Sequence, residues 1–456
     1  MREWAWAKLD EKAVEKFSED YKKFLAKAKT ERETVKYLIE NAKKKGFKPL
    51  EKFDRLSPGD KVYAIFRNKF VLMAIIGEEP LTKGFRVVGS HMDTPRIDLK
   101  PVPLYEDSGI VMFKTHYYGG VKKYQWVALP LALHGVVVLK DGSTKEIVVG
   151  EKEDEPVFVI PDIAPHLGRK KQEQRKGIDV IQGEELHAIA GNKPMDPTKP
   201  QEKDNVKKRI LNILEEKYGI EEEDLVSADL TLVPAMKPRD VGLDGSMIMA
   251  YGQDDRACVY TSFRALIELK KPKSTAIGMF VDKEEVGSAG DTSINSRFFE
   301  YFIAELIKKT GMEADTSSLV RTFINSKAIS ADVNVVMNPL HKDLFDAPNT
   351  GLLGRGVILT KYTGRGGKFM TSEAHAEYVA WIRGVLDRRN IPWQPGLLGK
   401  VDVGGGGTIA MFIAERGILT VDLGPGVLAL HAPCEITSKA DIYSTYLAYK
   451  AFYEEE

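Results

Sequence analysis

Apolar residues near the start of the chain recur at steps of three and four. Val14, Phe17, Tyr21 and Phe24 come first, then Val35, Leu38 and Ile39, with charged residues filling the gaps. That spacing predicts two amphipathic helices over residues 9–45. The rhythm then changes. "KVYAIFR", "FVLMAIIG" and "FRVVGSHMD" are short, rich in Val, Ile and Phe, and bounded by Gly or charge, which predicts strands. Residues 100–234 carry further strand-like runs, "GIVMFKTHYY", "WVALPLALHGVVVL", "EIVVG" and "VFVI". A polar stretch at 165–204 is expected to be a long exposed loop, and "NVKKRILNILEEKYG" a helix.

From residue 247 onward the two periodicities alternate. "ACVYTSFRALIELKK", "SRFFEYFIAELIKKTG", "TSEAHAEYVAWIRGVLDRRN" and "DIYSTYLAYKAFYEEE" read as helices. "TAIGMFVDKEE", "KAISADVNVV" and "GILTVDLG" read as strands between them. Alternation of this kind predicts an α/β fold with helices on the faces of one sheet. The expected organisation is a discontinuous domain, 1–99 and 235–456, with a mainly β domain inserted at 100–234. The run "VDVGGGGTIA" (401–410) is either a flexible loop or a place where backbone approaches a ligand closely.

Composition narrows the functional classes. Lys plus Arg equals Asp plus Glu at 66 each, so the formal net charge is zero. A nucleic-acid partner, which draws its affinity from excess cations, is not expected. Two cysteines without a CxxC spacing make no disulfide framework, which points to a reducing compartment. "MREWAWAKLDEK" lacks the apolar segment of a secretory signal. The longest apolar stretch, 127–139, falls short of the ~20 residues a spanning helix needs and contains Pro130, His134 and Gly135. A cytoplasmic protein without a membrane partner is expected.

The candidate chemistry lies where strands end. His91 and Asp93 follow "FRVVGS"; Asp254 and Asp255 precede a helix; Glu284 and Glu285 close "TAIGMFVDKEE". Asp332 lies within "KAISADVNVV", and His431 follows "LTVDLGPGVLAL". Singly, each has an ordinary structural explanation, such as a helix cap for the Asp pair. Together, they would converge beyond the carboxyl ends of a parallel sheet, where ligands bind in α/β folds. So many acids repel one another unless cations are present. Imidazole with carboxylate suits Zn²⁺ better than Ca²⁺ or Mg²⁺, while Co²⁺ and Mn²⁺ remain open. Two such ions, balanced by three carboxylates and a hydroxide, would activate a water and polarise a carbonyl, the requirements of amide hydrolysis.

Six short motifs, in order, resemble the aspartyl aminopeptidase family, two-zinc enzymes of a larger clan with a common catalytic core. They are "SHMDTP", "IPDIAPHL", "GQDDRACVYTSFRAL", "DKEEVGS", "ISADVNVVMNP" and "LHAPCEI". The resemblance implies a three-layer α/β/α zinc-peptidase domain carrying an inserted oligomerisation domain. It implies His91 and Asp332 on one zinc, Glu285 and His431 on the other, and Asp254 bridging both. Glu284 would be the general base, and Asp93 would orient His91 through its other ring nitrogen. Asp255 is left as a helix cap. His166, in "IPDIAPHL", would reach a neighbouring subunit's site within a homo-dodecamer. Peptides are the implied substrates. Acid-selective members need a cation in the substrate pocket, and Lys361, Arg365 and Lys368 are candidates because cations pair with carboxylates. The region 357–370 departs from those members, and Gln253 stands where they usually carry leucine. The rivals are a deacetylase or carboxypeptidase of the same clan, a silent shell protein, and a nucleotide-binding module. For the last, "GRGGKF" has the wrong spacing for a phosphate loop.

Overall fold

The computed structural model describes residues 3–455. The chain forms two compact units. The first comprises residues 1–93, 238–430 and 435–456; the second comprises residues 94–237 and 431–434.

The first unit is organised by a nine-stranded sheet. Its centre is four mutually parallel strands in the order Ala276–Val281, Arg86–His91, Lys327–Ser330 and Leu419–Gly424. Alternation along these strands sends side chains to opposite faces. Val87, Ile277, Met279 and Ala328 pack on one side with Phe299, Phe302, Ile303 and Leu306 of the helix Phe298–Lys309. Val88, Phe280, Ile329, Val421 and Leu423 pack on the other, against the helices Gln253–Ile267 and Lys439–Glu454. Each fully buried aliphatic or aromatic side chain contributes roughly 1.5–3 kcal/mol. The result is a three-layer α/β/α arrangement. The helices at the start of the chain, Glu11–Lys27 and Glu31–Lys44, join the second face. Asp10 caps the first, and Thr30 and Glu33 form a capping box on the second.

A five-stranded sheet completes this unit, with order Arg239–Val241, Met247–Ala250, Glu435–Ser438, Gly426–Leu428 and Asn334–Val335. The sequence pattern does not predict it. It also splits the strand expected at 327–336: Lys327–Ser330 stays in the large sheet and Asn334–Val335 joins the small one. Asp332 therefore sits in a loop between two sheets rather than within a strand.

The second unit holds a six-stranded, wholly antiparallel sheet, ordered Thr144–Val149, Leu131–Val138, Ala228–Pro234, Arg96–Asp107, Ile110–Tyr118 and Ala188–Gly191. The stretch 165–204 is not one long loop. It contains the helix Pro165–Gln172, two short 3-10 turns and the edge strand Ala188–Gly191. No helix among the described residues is long and apolar enough to cross a membrane.

Candidate metal centre

His91 ends the second of the central strands and is buried. Its Nε2 lies 3.3 Å from Asp254 Oδ1, 3.8 Å from Asp332 Oδ2 and 4.0 Å from Glu284 Oε2. These acids come from three separate segments. Glu284 and Asp332 follow the parallel strands Ala276–Val281 and Lys327–Ser330, which flank that of His91, while Asp254 follows Met247–Ala250 of the five-stranded sheet.

Asp254 is positioned by a tight turn. Gly252 is left-handed at φ 68°, and Asp254 and Asp255 have non-helical angles although the helix Gln253–Ile267 runs through them. The peptide bond joining the two aspartates is cis. The Asp254 N–H donates to Glu435 Oε2 at 3.0 Å. The Gln253 amide donates to the Ile248 and Glu435 carbonyls at 3.1 and 2.6 Å, and its oxygen accepts the Tyr21 hydroxyl at 3.2 Å. Asp255 does not cap the helix. Gly252 holds the cap position, and Asp255 Oδ2 instead accepts the main-chain N–H of His91 at 3.3 Å. Its carboxylate turns inward to the strand end, where that donor is buried with it.

Asp93 binds the next segment. Its Oδ1 accepts the Glu284 N–H at 3.1 Å and its Oδ2 the Glu285 N–H at 3.2 Å. The nearest partner of His91 Nδ1 is the Asp93 main-chain carbonyl at 3.0 Å, with the carboxylate at 3.4 Å. Asp93 thus addresses the His91 ring chiefly through its backbone, while its side chain fixes Glu284 and Glu285. Those two glutamates begin a 3-10 turn between left-handed Lys283 and Gly287.

The electrostatics are those of a site rich in acid and short of cation. Burial lifts the Glu284 carboxyl to about 8, against the pull of His91, with Asp332, Asp93 and Asp254 adding to the rise. Burial likewise raises Asp332, and raises Asp255 well above the carboxylate range, where Asp332 adds to it. Burial opposes charge on His91, yet Asp254, Asp332 and Asp93 outweigh it and push the ring well up. Two groupings, His91 with Asp254 and Glu285, and His91 with Asp255 and Asp332, present ligand atoms within 4.8 Å of one another. Ligands of a tetrahedral zinc at about 2.0–2.1 Å stand roughly 3.3–3.5 Å apart, so the His91–Asp254 spacing already fits. The donor set, one imidazole with several carboxylates, also fits zinc.

The structure therefore gathers His91, Asp93, Asp254, Asp255, Glu284, Glu285 and Asp332 within the first unit. His431 belongs to the second unit, where its Nδ1 lies 3.0 Å from the Gly120 carbonyl. His166 is exposed on the first turn of the helix Pro165–Gln172, also in the second unit. Lys361 and Lys368 are exposed and face Glu373 at 3.9 and 2.8 Å; Lys368 also lies over the Tyr362 ring. Arg365 is exposed and joins Phe369 through two backbone hydrogen bonds.

The glycine run is neither loose nor open to a ligand at every position. Gly405, at φ +147°, packs so closely that a Cβ would stand 2.2 Å from the Gly364 carbonyl oxygen, and the Gly364 N–H donates to the Gly406 carbonyl. Two supports were not foreseen from the sequence. Glu435 anchors Asp254. Asp422, buried within the strand Leu419–Gly424 and raised by burial to about 7, accepts the Thr408 hydroxyl at 2.7 Å. Glu435 lies within the motif "LHAPCEI", whose acid was a signal that could have found it, whereas Asp422 lies inside an ordinary strand pattern and follows from the fold alone.

The described geometry has known counterparts. A family model for the aminopeptidase I zinc metalloproteases (M18) matches residues 24–453. A curated relative from Borreliella afzelii, named a probable M18 family aminopeptidase 1, is 48% identical over 455 residues, 99% of each chain. The crystal structure of an M18 aminopeptidase from Thermotoga maritima is 45% identical and superimposes with a TM-score of 0.96 over 100% of both chains. A solved S. cerevisiae mApe1 dodecamer shares the fold at 21% identity, with a TM-score of 0.76 over 96% of each chain. The family match agrees with a cluster of imidazole and carboxylates that could hold a metal: the chain belongs to the M18 family and is a zinc metallo-aminopeptidase, a hydrolase acting on peptides.

Proposed function

We propose that this aminopeptidase works with two zinc ions per subunit and favours peptides with an acidic N-terminal residue. His91 and Asp332 would hold one ion, Glu285 and His431 the other, and Asp254 both. The spacing of His91 Nε2 from Asp254 Oδ1, with Asp332 and Glu284 close behind, carries this reading. When bound, the pair would polarise the first peptide carbonyl and lower the pKa of a water between them.

The chain's own residues do the remaining work. Glu284 takes the proton from the attacking water and passes it to the leaving amine. Without metal, burial raises its affinity for a proton, and zinc bound beside it would favour the carboxylate form that a general base needs. Asp93 holds the backbone of Glu284 and Glu285 together, so the base and the adjacent ligand keep their separation. Asp255 holds the main chain of His91.

Selectivity for Asp or Glu would come from Lys361, Arg365 and Lys368 through charge-assisted hydrogen bonds to the substrate carboxylate. His166 would act in a neighbouring subunit's site, within a cytoplasmic homo-dodecamer like the yeast assembly of the same fold. Kinetics on a panel of aminoacyl chromogenic amides, with metal analysis of the same sample, tests the reading. Two zinc per chain and the highest kcat/KM on Asp and Glu substrates support it. One zinc per chain removes the bridging role of Asp254, and a preference for apolar residues removes the selectivity.

A further inference from the structure

The two histidines assigned to zinc are held by the same device, although they belong to different units. His91 places Nδ1 3.0 Å from the main-chain carbonyl of Asp93. His431 places Nδ1 3.0 Å from the main-chain carbonyl of Gly120. A carbonyl oxygen only accepts, so each Nδ1 must carry the hydrogen. In the neutral ring that leaves the lone pair on Nε2. At His91 this nitrogen is the one turned towards Asp254, Asp332 and Glu284.

We infer that Gly120 is a positioning residue: its carbonyl fixes the tautomer and direction of His431, so that the histidine can bind metal only through Nε2. The inference rests on the reading of His431 as a zinc ligand. Gly120 follows the strand Ile110–Tyr118 of the second unit, immediately after left-handed Gly119 at φ 74°. A Cβ at 120 would lie 3.0 Å from His431 Nδ1 and 3.4 Å from Cε1. Any side chain there moves the ring or the carbonyl. The inserted segment therefore does more than build a sheet: it sets a ligand whose own place in the sequence is some three hundred residues later. Partners of this kind raise the basicity of a ligating imidazole, and their loss costs about 10–100-fold in metal affinity.

The test titrates zinc from the full-length protein with a competing chelator, in wild type and in Gly120→Ala, His431→Ala and Gly183→Ala. Gly183 is the control for crowding in the same unit, since a Cβ there would stand 3.3 Å from the Tyr117 ring. The expected result is one zinc equivalent weakened about 10–100-fold in Gly120→Ala, the other unchanged, and both retained in Gly183→Ala. His431→Ala should weaken the same equivalent further. Wild-type affinity for both equivalents in Gly120→Ala, with one lost in His431→Ala, overturns the role of Gly120. Both retained in His431→Ala overturns the underlying ligand assignment instead. Cobalt-loaded wild-type protein gives a readout that needs no substitution. Nε2 coordination leaves Nδ1–H as the only ring hydrogen remote from the metal, so both histidines should give a sharp hyperfine-shifted signal that disappears in D₂O; a sharp shifted ring C–H signal that persists in D₂O, the mark of Nδ1 coordination, counts against the inference.

Discussion

The first unit presents two contrasting regions, the carboxyl ends of its parallel strands and the loop at 361–370. At the strand ends the acids are buried or half-buried, and three of them hold backbone N–H groups of the same site. Asp93 grips two backbone N–H groups, Asp255 grips a third, and Glu435 a fourth. In the loop the three cations are exposed, and two of them, Lys361 and Lys368, share one exposed partner, Glu373. The contrast separates two demands on an enzyme. Chemistry needs atoms fixed to within fractions of an ångström before substrate arrives. Recognition of a charged side chain tolerates a mobile cation, because solvent-exposed ion pairs lock little in place.

Substitutions should reproduce that contrast. Glu284→Gln keeps the shape of the base but cannot accept the proton, and kcat should fall about 10²–10⁴-fold with zinc content retained. Steady-state kinetics and metal analysis measure both. An undiminished kcat would take Glu284 out of the proton transfer. Asp93→Ala releases the Glu284 and Glu285 backbone, and zinc affinity should drop about 10–100-fold, read by chelator competition. Wild-type affinity in that variant would mean that the strand ends are less interlocked than they look.

Zinc binding to the metal-free protein should also release protons at pH 7. Without metal, Asp254, Asp332 and Asp93 push the proton affinity of His91 well up against burial, and burial raises Glu284 to about 8. Coordination requires a neutral imidazole, so the His91 proton must leave. Release should diminish as pH rises past 8, where Glu284 has already lost its proton. Calorimetry in buffers of different ionisation enthalpy measures the count, and no release at pH 7 would contradict the electrostatics of the site.

Effects in the loop should be smaller and of a different kind. Arg365→Ala should lower kcat/KM for Asp and Glu substrates about tenfold, the worth of one charged hydrogen bond, and leave neutral substrates unchanged. A parallel loss on both classes would break the division between chemistry and recognition. Lys368→Ala removes a pair with Glu373 in which both side chains are more than 40% exposed, and unfolding free energy should move by no more than about 0.5 kcal/mol.

The parts that were legible in the sequence are those whose physics is periodic. Val87 and Val88 announce a strand buried on both faces, and Phe299, Phe302, Ile303 and Leu306 announce a helix with one apolar stripe. Residues at the ends of such elements, His91 and Glu284 among them, could be placed near one another because parallel strands share an edge. Short or interrupted elements gave no such signal. Asn334–Val335 and Gly426–Leu428 are too brief to show alternation, so the five-stranded sheet leaves no periodic trace and the sequence pattern puts Asp332 within a strand. In Arg96–Asp107, Lys100 to Pro103 interrupt the apolar pattern where the register shifts between Leu99 and Leu104. The helix Pro165–Gln172 buries only Gly168 and has no stripe to detect. Asp255 looked like a cap because local sequence cannot tell that a strand end lies against it.

The contact between Gly405 and Gly364 carries a practical consequence for anyone redesigning this enzyme. The basic loop and the glycine run touch backbone to backbone, so neither can be reshaped alone. A library that probes the selectivity proposed for Lys361, Arg365 and Lys368 should leave positions 364 and 405 untouched, since even one methyl group at 405 would push the two segments apart.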